Sequence, residues 1–214
     1  FLGMAVPVLH YFRSRGRGEV TRQLFVSNGV EFEDRRFSDD EWFNAQKLTG
    51  FYEFNQIPLL EIDGHKLVTS HAIERYVARK LRLYPEDPYQ AYLVESIIDL
   101  KNDLFTPMGV FLFFTNDPEG LEKWIESALP EKLKQIEARL AANGSEEYLV
   151  GSSKTWADYS IAQFIYDTFL LPEYTARLHV LEENAPKLKK YTERFYSNDP
   201  LLSAYLPTRP SAIL

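Results

Sequence analysis

Tyr11 and Arg17 flank a glycine turn in the stretch Val6-Pro-Val-Leu-His-Tyr-Phe-Arg-Ser-Arg-Gly-Arg-Gly-Glu-Val-Thr-Arg22. A phenol is a hydrogen-bond donor that ionises only near about pH 10, and a guanidinium is a permanent cation. Set at the end of a strand and the start of a helix, the pair can hold an anion, a sulfur anion included. Arg13, Arg15 and Arg22 make the cluster more basic, and Ser14 adds a second hydroxyl. The segment has neither the three-glycine fingerprint for a dinucleotide nor the Gly-Lys-Ser/Thr of a nucleotide phosphate loop. The same residues also suit an ordinary βα unit in which Tyr11 packs and the arginines are solvated. The chain contains no cysteine, so thiol chemistry here would use a thiol from the substrate.

The elements that must carry these residues follow from the pattern. Val8 to Phe12 reads as a strand, with Leu9 and Tyr11 on one face and Val8, His10 and Phe12 on the other. A helix from Arg17 to Asn28 follows, with Val20, Leu24 and Phe25 at helical spacing and Gly29 as its stop. Glu31–Phe37 is a second strand, parallel to the first because a helix joins them. Ser38 followed by acids starts a helix that carries Trp42 and Leu48 and ends near Gly50. Ile57–Ile62 and His65–Val68 flank Asp63-Gly64, a hairpin signal. Ser70 opens another helix, with Ala72, Ile73, Tyr76 and Val77 on one face.

Pro85-Glu-Asp-Pro88 is a junction of the kind that separates domains. Beyond it long helices are expected. The first carries Val94, Ile97, Ile98, Leu104, Phe105, Met108, Phe111 and Leu112. The second runs from Pro118 to Asn143, and a third opens at Thr155-Trp-Ala-Asp158 with a reciprocal capping box. Two more lie near Glu173–Glu183 and Pro186–Ser197, and the tail from Leu201 to Leu214 reads as mostly irregular.

Composition narrows the function classes. A length of 214 residues and 45 % hydrophobic content suit a soluble globular protein of one large or two small domains. A net charge of −7 argues against nucleic-acid or membrane-surface partners. No apolar run approaches the roughly 18 residues of a membrane span. Phe1-Leu2-Gly3 ahead of Met4 reads as a cloning remnant and is set aside, and with no secretory signal after it a cytoplasmic location is expected. His10, His65, His71 and His179 lack metal-ligand spacing, so no metal is expected.

Four separated motifs in this order resemble the cytosolic glutathione transferases. They are Leu9-His-Tyr-Phe12 with Arg15-Gly-Arg17, Asn55-Gln-Ile-Pro-Leu-Leu-Glu-Ile-Asp-Gly64, Ser70-His-Ala-Ile-Glu-Arg-Tyr76, and Leu149-Val-Gly-Ser-Ser-Lys-Thr-Trp-Ala-Asp158. The likeness is to the tyrosine-type classes, closest to alpha with sigma next, and spans about residues 6–200. It implies α/β plus all-α architecture. A thioredoxin-like glutathione-binding domain (βαβ-ββα) would occupy residues 4–82, and an all-helical domain carrying most of the hydrophobic substrate site would occupy residues 89–214.

The resemblance also implies roles. Tyr11 would favour the glutathione thiolate by donating its phenol hydrogen, Arg17 would add positive charge, and Ser14 is the lesser candidate for Tyr11's part. Ile57 would pair with the cysteinyl backbone of glutathione beside a cis Pro58, with Gln56 next to it. Ser70, at a helix N-terminus, would receive the γ-glutamyl carboxylate. Thr69 stands where many members have glutamine. Lys47 would hold the glycyl carboxylate and Asp103 would reach the α-ammonium group across a dimer. Phe12, Ser14, Met108, Phe111, Leu112 and Leu206 are candidates for the hydrophobic site, although an aromatic stripe at helical spacing is more often core. Phe54, with Tyr52 or Phe51, would be an aromatic key in a homodimer. The implied reaction is detoxifying conjugation of glutathione to hydrophobic electrophiles, with glutathione as co-substrate. Alternatives are glutathione-dependent isomerisation of the prostaglandin D synthase or ketosteroid type, lipid-hydroperoxide reduction, and a non-catalytic binding or structural protein.

Overall fold

The computed structural model describes residues 5–210 and divides the chain into two compact units, Phe1–Arg82 with Asp199–Leu214, and Leu83–Asn198. In the first unit the strands β1 (Val8–Phe12), β2 (Glu33–Phe37), β3 (Leu59–Ile62) and β4 (His65–Val68) form one sheet in the order β2-β1-β3-β4. β1 and β2 are parallel, with Tyr11 opposite Arg36, whereas β3 runs antiparallel to both of its neighbours. Helix α1 (Glu19–Ser27) supplies the crossover that a parallel pair requires. This is the expected βαβ-ββα order, closed by α3 (Ser70–Lys80).

The central strand is covered on both faces, as a strand between neighbours and helices must be. On the Tyr11 face lie the buried Val20, Leu24 and Phe25 of α1 and Ile73 and Val77 of α3. The other face carries a hydrophobic cluster of Trp42, Tyr52 and Leu59, with Phe12, Phe37 and Phe51 packed against it. Asp63 and Gly64, at φ 55° and 77°, turn the β3–β4 hairpin, both in the left-handed region that this short loop demands.

The helix expected from Ser38 to near Gly50 starts as read but is shorter and irregular. A capping box between Ser38 and Glu41 starts α2 (Asp39–Glu41), which widens at once into a π-type turn over Trp42–Gln46. Trp42 is the segment's one deep anchor, whereas Leu48, read as its partner, is 80 % exposed. Without a second apolar contact nothing holds a straight helix on the sheet.

The Leu83–Asn198 unit is helical throughout its regular structure. It comprises α4 (Pro88–Gly109), α5 (Pro118–Ser127), α6 (Leu129–Ala142), α7 (Trp156–Ile165), α8 (Leu178–Asn184) and α9 (Pro186–Ser197). The single helix predicted from Pro118 to Asn143 is two, because Pro130 in the first turn of α6 cannot continue the hydrogen-bond ladder from α5. A 3₁₀ segment, Pro172–Arg177, replaces the first half of the helix expected near Glu173. The capping box at Thr155 and Asp158 forms as read.

The expected irregular tail instead contains α10 (Pro200–Tyr205) and a 3₁₀ turn, Leu206–Thr208. Asp199 caps α10 by accepting the Leu202 N–H at 3.1 Å, with Pro200 at the first helical position. This segment groups with the sheet unit and not with the helices before it. Leu202 is fully buried and the Ser27 hydroxyl donates to Asp199, which fixes α10 on α1. Ser211–Leu214, the end of the expected irregular tail, lie outside the described residues.

Candidate active site

Tyr11 ends the buried part of β1 and is 7 % exposed. Its ring is clasped by the glycine turn. A Cβ on Gly16 would stand 2.7 Å from the phenol oxygen, and one on Gly18 would stand 2.9 Å from the ring. Those two glycines are therefore dictated by the tyrosine beneath them. The backbone N–H of Arg17 donates to Tyr11 Oη at 2.9 Å, which occupies a lone pair and leaves the phenol's own proton to be given elsewhere. Burial pushes the Tyr11 pKa up, against the Arg17 amide and the charges of Arg17 and Arg22, so the phenol stays a donor.

Arg22, which the sequence groups with the basic cluster of this stretch, is fully buried. It donates to the carbonyls of Ser14 at 2.9 Å and Arg15 at 3.2 Å, and its Nε reaches Asp34 at 3.1 Å. Its job is to staple the turn. Ser14 is also buried, and its Oγ makes no hydrogen bond. Arg13 is exposed and pairs with Glu41.

Next to this turn Arg17, Gln56, Ile57, Pro58, Thr69 and Ser70 line a cleft of about 380 Å³. Five of these are residues that the family resemblance assigns to peptide recognition, and the sixth is the assigned cation. The Ile57–Pro58 bond is cis, and the β3 ladder begins only at Leu59. Ile57 thus lies past the paired edge of the sheet, where an extended peptide can add its own backbone bonds. Thr69 holds φ 66° and ψ 122°, a left-handed conformation costly for a β-branched residue. That twist turns the chain into α3, whose first residue, Ser70, presents a hydroxyl and an N-terminal helix dipole to the cleft.

Other expected site residues lie elsewhere. Lys47 is not among the cleft's lining residues, and its Nζ stands 5.1 Å over the Phe43 ring. Phe12 is half-buried, with its ring edge-on to Tyr11 and Trp42 at 5.4 and 6.2 Å. Leu206 is half-buried in the turn after α10. In the helical unit Asp103 is exposed on α4, Phe111 and Leu112 are half-buried just past its end, and Met108 packs inside at 1 % exposure. Phe54 projects to solvent, 64 % exposed, whereas Tyr52 is buried.

Sequence reasoning missed a second polar cluster behind Tyr11. His10 Nδ1 lies 3.0 Å from Tyr52 Oη and its Nε2 lies 2.7 Å from Glu61 Oε1. The signal available was a histidine at an inward position of a strand, facing a strand that carries glutamate. No group of three potential metal ligands occurs among the described residues.

Two family profiles match the sequence. One, described as glutathione S-transferase, N-terminal domain, covers residues 7–79; the other, glutathione S-transferase, C-terminal domain, covers residues 102–209. The chain is 33 % identical over 207 residues to probable glutathione S-transferase 5 of Caenorhabditis elegans, covering 94 % of this chain and 96 % of that protein. It is 34 % identical over 200 residues to glutathione S-transferase A1 of Homo sapiens, covering 87 % and 88 % of the two. Among solved structures it matches the monomeric Na-GST-3, a glutathione S-transferase of the hookworm Necator americanus. The TM-score is 0.82 at 33 % identity, with 98 % of this chain and all of that one covered.

Proposed function

The chain belongs to the glutathione S-transferase family, and we propose that Tyr11 is the residue that keeps its bound glutathione as the thiolate. The protein is an enzyme that uses glutathione as co-substrate and transfers it to electrophiles. A thiol ionises near about pH 8.5 in water, so neutral-pH reactivity depends on stabilising the anion. The phenol of Tyr11 donates to the sulfur, and Arg17 lowers the anion's energy further by charge. The sulfur then attacks an electrophilic carbon, the leaving group departs with its bonding electrons, and the thiol's proton goes to solvent. With a chlorinated nitroaromatic the leaving group is chloride.

The observation that carries this reading is the 2.9 Å bond from the Arg17 amide to the Tyr11 oxygen. It fixes which lone pair is used and so which way the phenol can donate. The tripeptide is read by Gln56, Ile57, Pro58, Thr69 and Ser70. Ile57 pairs with the cysteinyl backbone, and Ser70 takes the γ-glutamyl carboxylate with Thr69 beside it. Lys47 holds the glycyl carboxylate after leaving Phe43, and Asp103 serves the α-ammonium group of a partner's ligand in a homodimer. Phe12 and Leu206, both in the sheet unit, supply apolar contacts to the electrophile. A cytosolic location goes with the family and is checked by cell fractionation.

The decisive experiment is Tyr11→Phe. Losing one preorganised donor to the anion is expected to lower kcat/KM about 100-fold and to raise the bound thiol's titration midpoint by about two pH units. An unchanged midpoint in the variant removes Tyr11 from this role.

A further inference from the structure

A buried carboxylate stands behind the Tyr11 turn and ties it to the far end of the chain. Glu19, the first residue of α1, is fully buried, and so is Arg22 one turn later. Arg22 Nη1 donates to Glu19 Oε2 at 3.4 Å. The same guanidinium bonds the carbonyls of Ser14 at 2.9 Å, Arg15 at 3.2 Å and Phe12 at 3.4 Å. One arginine therefore holds three carbonyls of the segment that leads from Tyr11 to Gly16. Its Cζ also lies 5.7 Å from the centre of the Tyr11 ring.

The C-terminal segment closes the other side of Glu19. Arg209 Nη1 donates to Glu19 Oε1 at 3.2 Å, and Tyr205 Oη donates to Oε2 at 3.3 Å. The Arg209 side chain is 1 % exposed, so this is an interior ion pair and not a surface one. A buried carboxylate needs its charge balanced and its lone pairs filled. Arg22 has a second acid to serve, since its Nε bonds Asp34 at 3.1 Å. Arg209 shares the demand of Glu19 and lets Arg22 remain spread over Asp34 and the three carbonyls.

We propose that Arg209 and Tyr205 are positioning residues for the transferase reaction, acting through Glu19 and Arg22 to fix the turn that aims the Tyr11 hydroxyl. The inference rests on the proposed role of Tyr11. Without Arg209, Glu19 draws Arg22 toward itself and away from the Ser14, Arg15 and Phe12 carbonyls. The turn loosens, the Arg17 amide drifts from the phenol oxygen, and the donor that stabilises the sulfur loses its aim. Residues that touch no substrate then govern how acidic the bound thiol is.

The test titrates glutathione bound to the parent, Arg209→Met, Arg209→Lys and Tyr205→Phe proteins by thiolate absorbance, alongside kcat/KM and the unfolding temperature. Arg209→Met is expected to raise the thiol midpoint by about half a pH unit or more and to cost about tenfold in kcat/KM, the scale of a misaimed catalytic group. Arg209→Lys, which keeps the charge, is expected to restore most of the loss. Should Arg209→Met not fold, Tyr205→Phe removes one donor to Glu19 and is read the same way with a smaller shift. Variants that melt earlier yet keep the parental midpoint make the contact purely structural and overturn the inference. A parent whose midpoint equals that of glutathione in water overturns the Tyr11 reading itself, and this inference with it.

Discussion

His10 stands beside Tyr11 in sequence and on the opposite face of β1, where it is 1 % exposed. Burial pushes its pKa below the usual 6.5, although the hydrogen bond it donates to Glu61 pulls the other way. The neutral ring donates from Nε2 to Glu61 and accepts the Tyr52 hydroxyl at Nδ1. A histidine whose folded pKa is depressed binds fewer protons in the folded chain than in the unfolded one. Its contribution to stability is therefore complete above about pH 6.5 and is lost as pH falls through the folded value. His10→Gln is expected to cost about 1–3 kcal/mol near pH 7 and to flatten that acid-side decline. Urea unfolding of both proteins at about pH 7 and about pH 5 checks this; curves that fall in parallel would remove His10 as the titrating group. At this scale the sequence names residue types but not their surroundings. Tyr11 and Ser70 were legible because each sits at a strand end or helix start that the pattern marks. Arg22 was not, since a buried arginine and a solvated one look alike until Asp34 and the Ser14 carbonyl are seen against it.

The turn and the caps act as elements. Gly18 has φ −88°, which any residue can adopt, so its only special need is room for the Tyr11 ring. Gly18→Ala thus isolates a steric effect. It is expected to cost about 1–3 kcal/mol of stability by overpacking and to lower kcat/KM at least tenfold by moving Tyr11. Steady-state kinetics beside thermal unfolding separates the two, and full activity in a destabilised variant would show that the ring tolerates the shift. In α7 the Asp158 carboxylate accepts from the N–H groups of Leu149 and Thr155 at 2.8 and 2.7 Å and from the Tyr191 hydroxyl at 2.6 Å. Asp158→Ala leaves these buried donors unpaired and is expected to cost about 3 kcal/mol or more with kinetics of the folded fraction unchanged. Chemical unfolding and active-site titration together check it. Capping signals such as Thr155-x-x-Asp158 and Ser38-x-x-Glu41 were legible because they are local chemistry. The length of α2 and the split between α5 and α6 were not, because they depend on a missing second anchor at Leu48 and on how Pro130 breaks a ladder.

Over the whole molecule, the order of strands and helices was readable from periodicity and turn residues, while the grouping of the C-terminal segment with the sheet unit was not. Its defining pair, Glu19 and Arg209, is 190 residues apart, and no local pattern joins residues at that separation. Assembly is likewise a property of the surface that one chain displays. Phe54 is 64 % exposed and sits at φ 60°, a conformation that a bulky aromatic rarely adopts. An outward aromatic on a short loop costs solvation in a monomer and gains it back only if a partner offers a pocket. We expect a homodimer with Phe54 as its key, although a relative of similar fold is described as monomeric. If Phe54 is an anchor of that interface, Phe54→Ala should weaken it by about 2 kcal/mol or more, which is roughly 30-fold in the dissociation constant. Sedimentation over a range of concentrations reads this directly. A parent that sediments as a monomer throughout would move Phe54 from the interface to the surface, and would leave Asp103 with no neighbouring chain's ligand to reach.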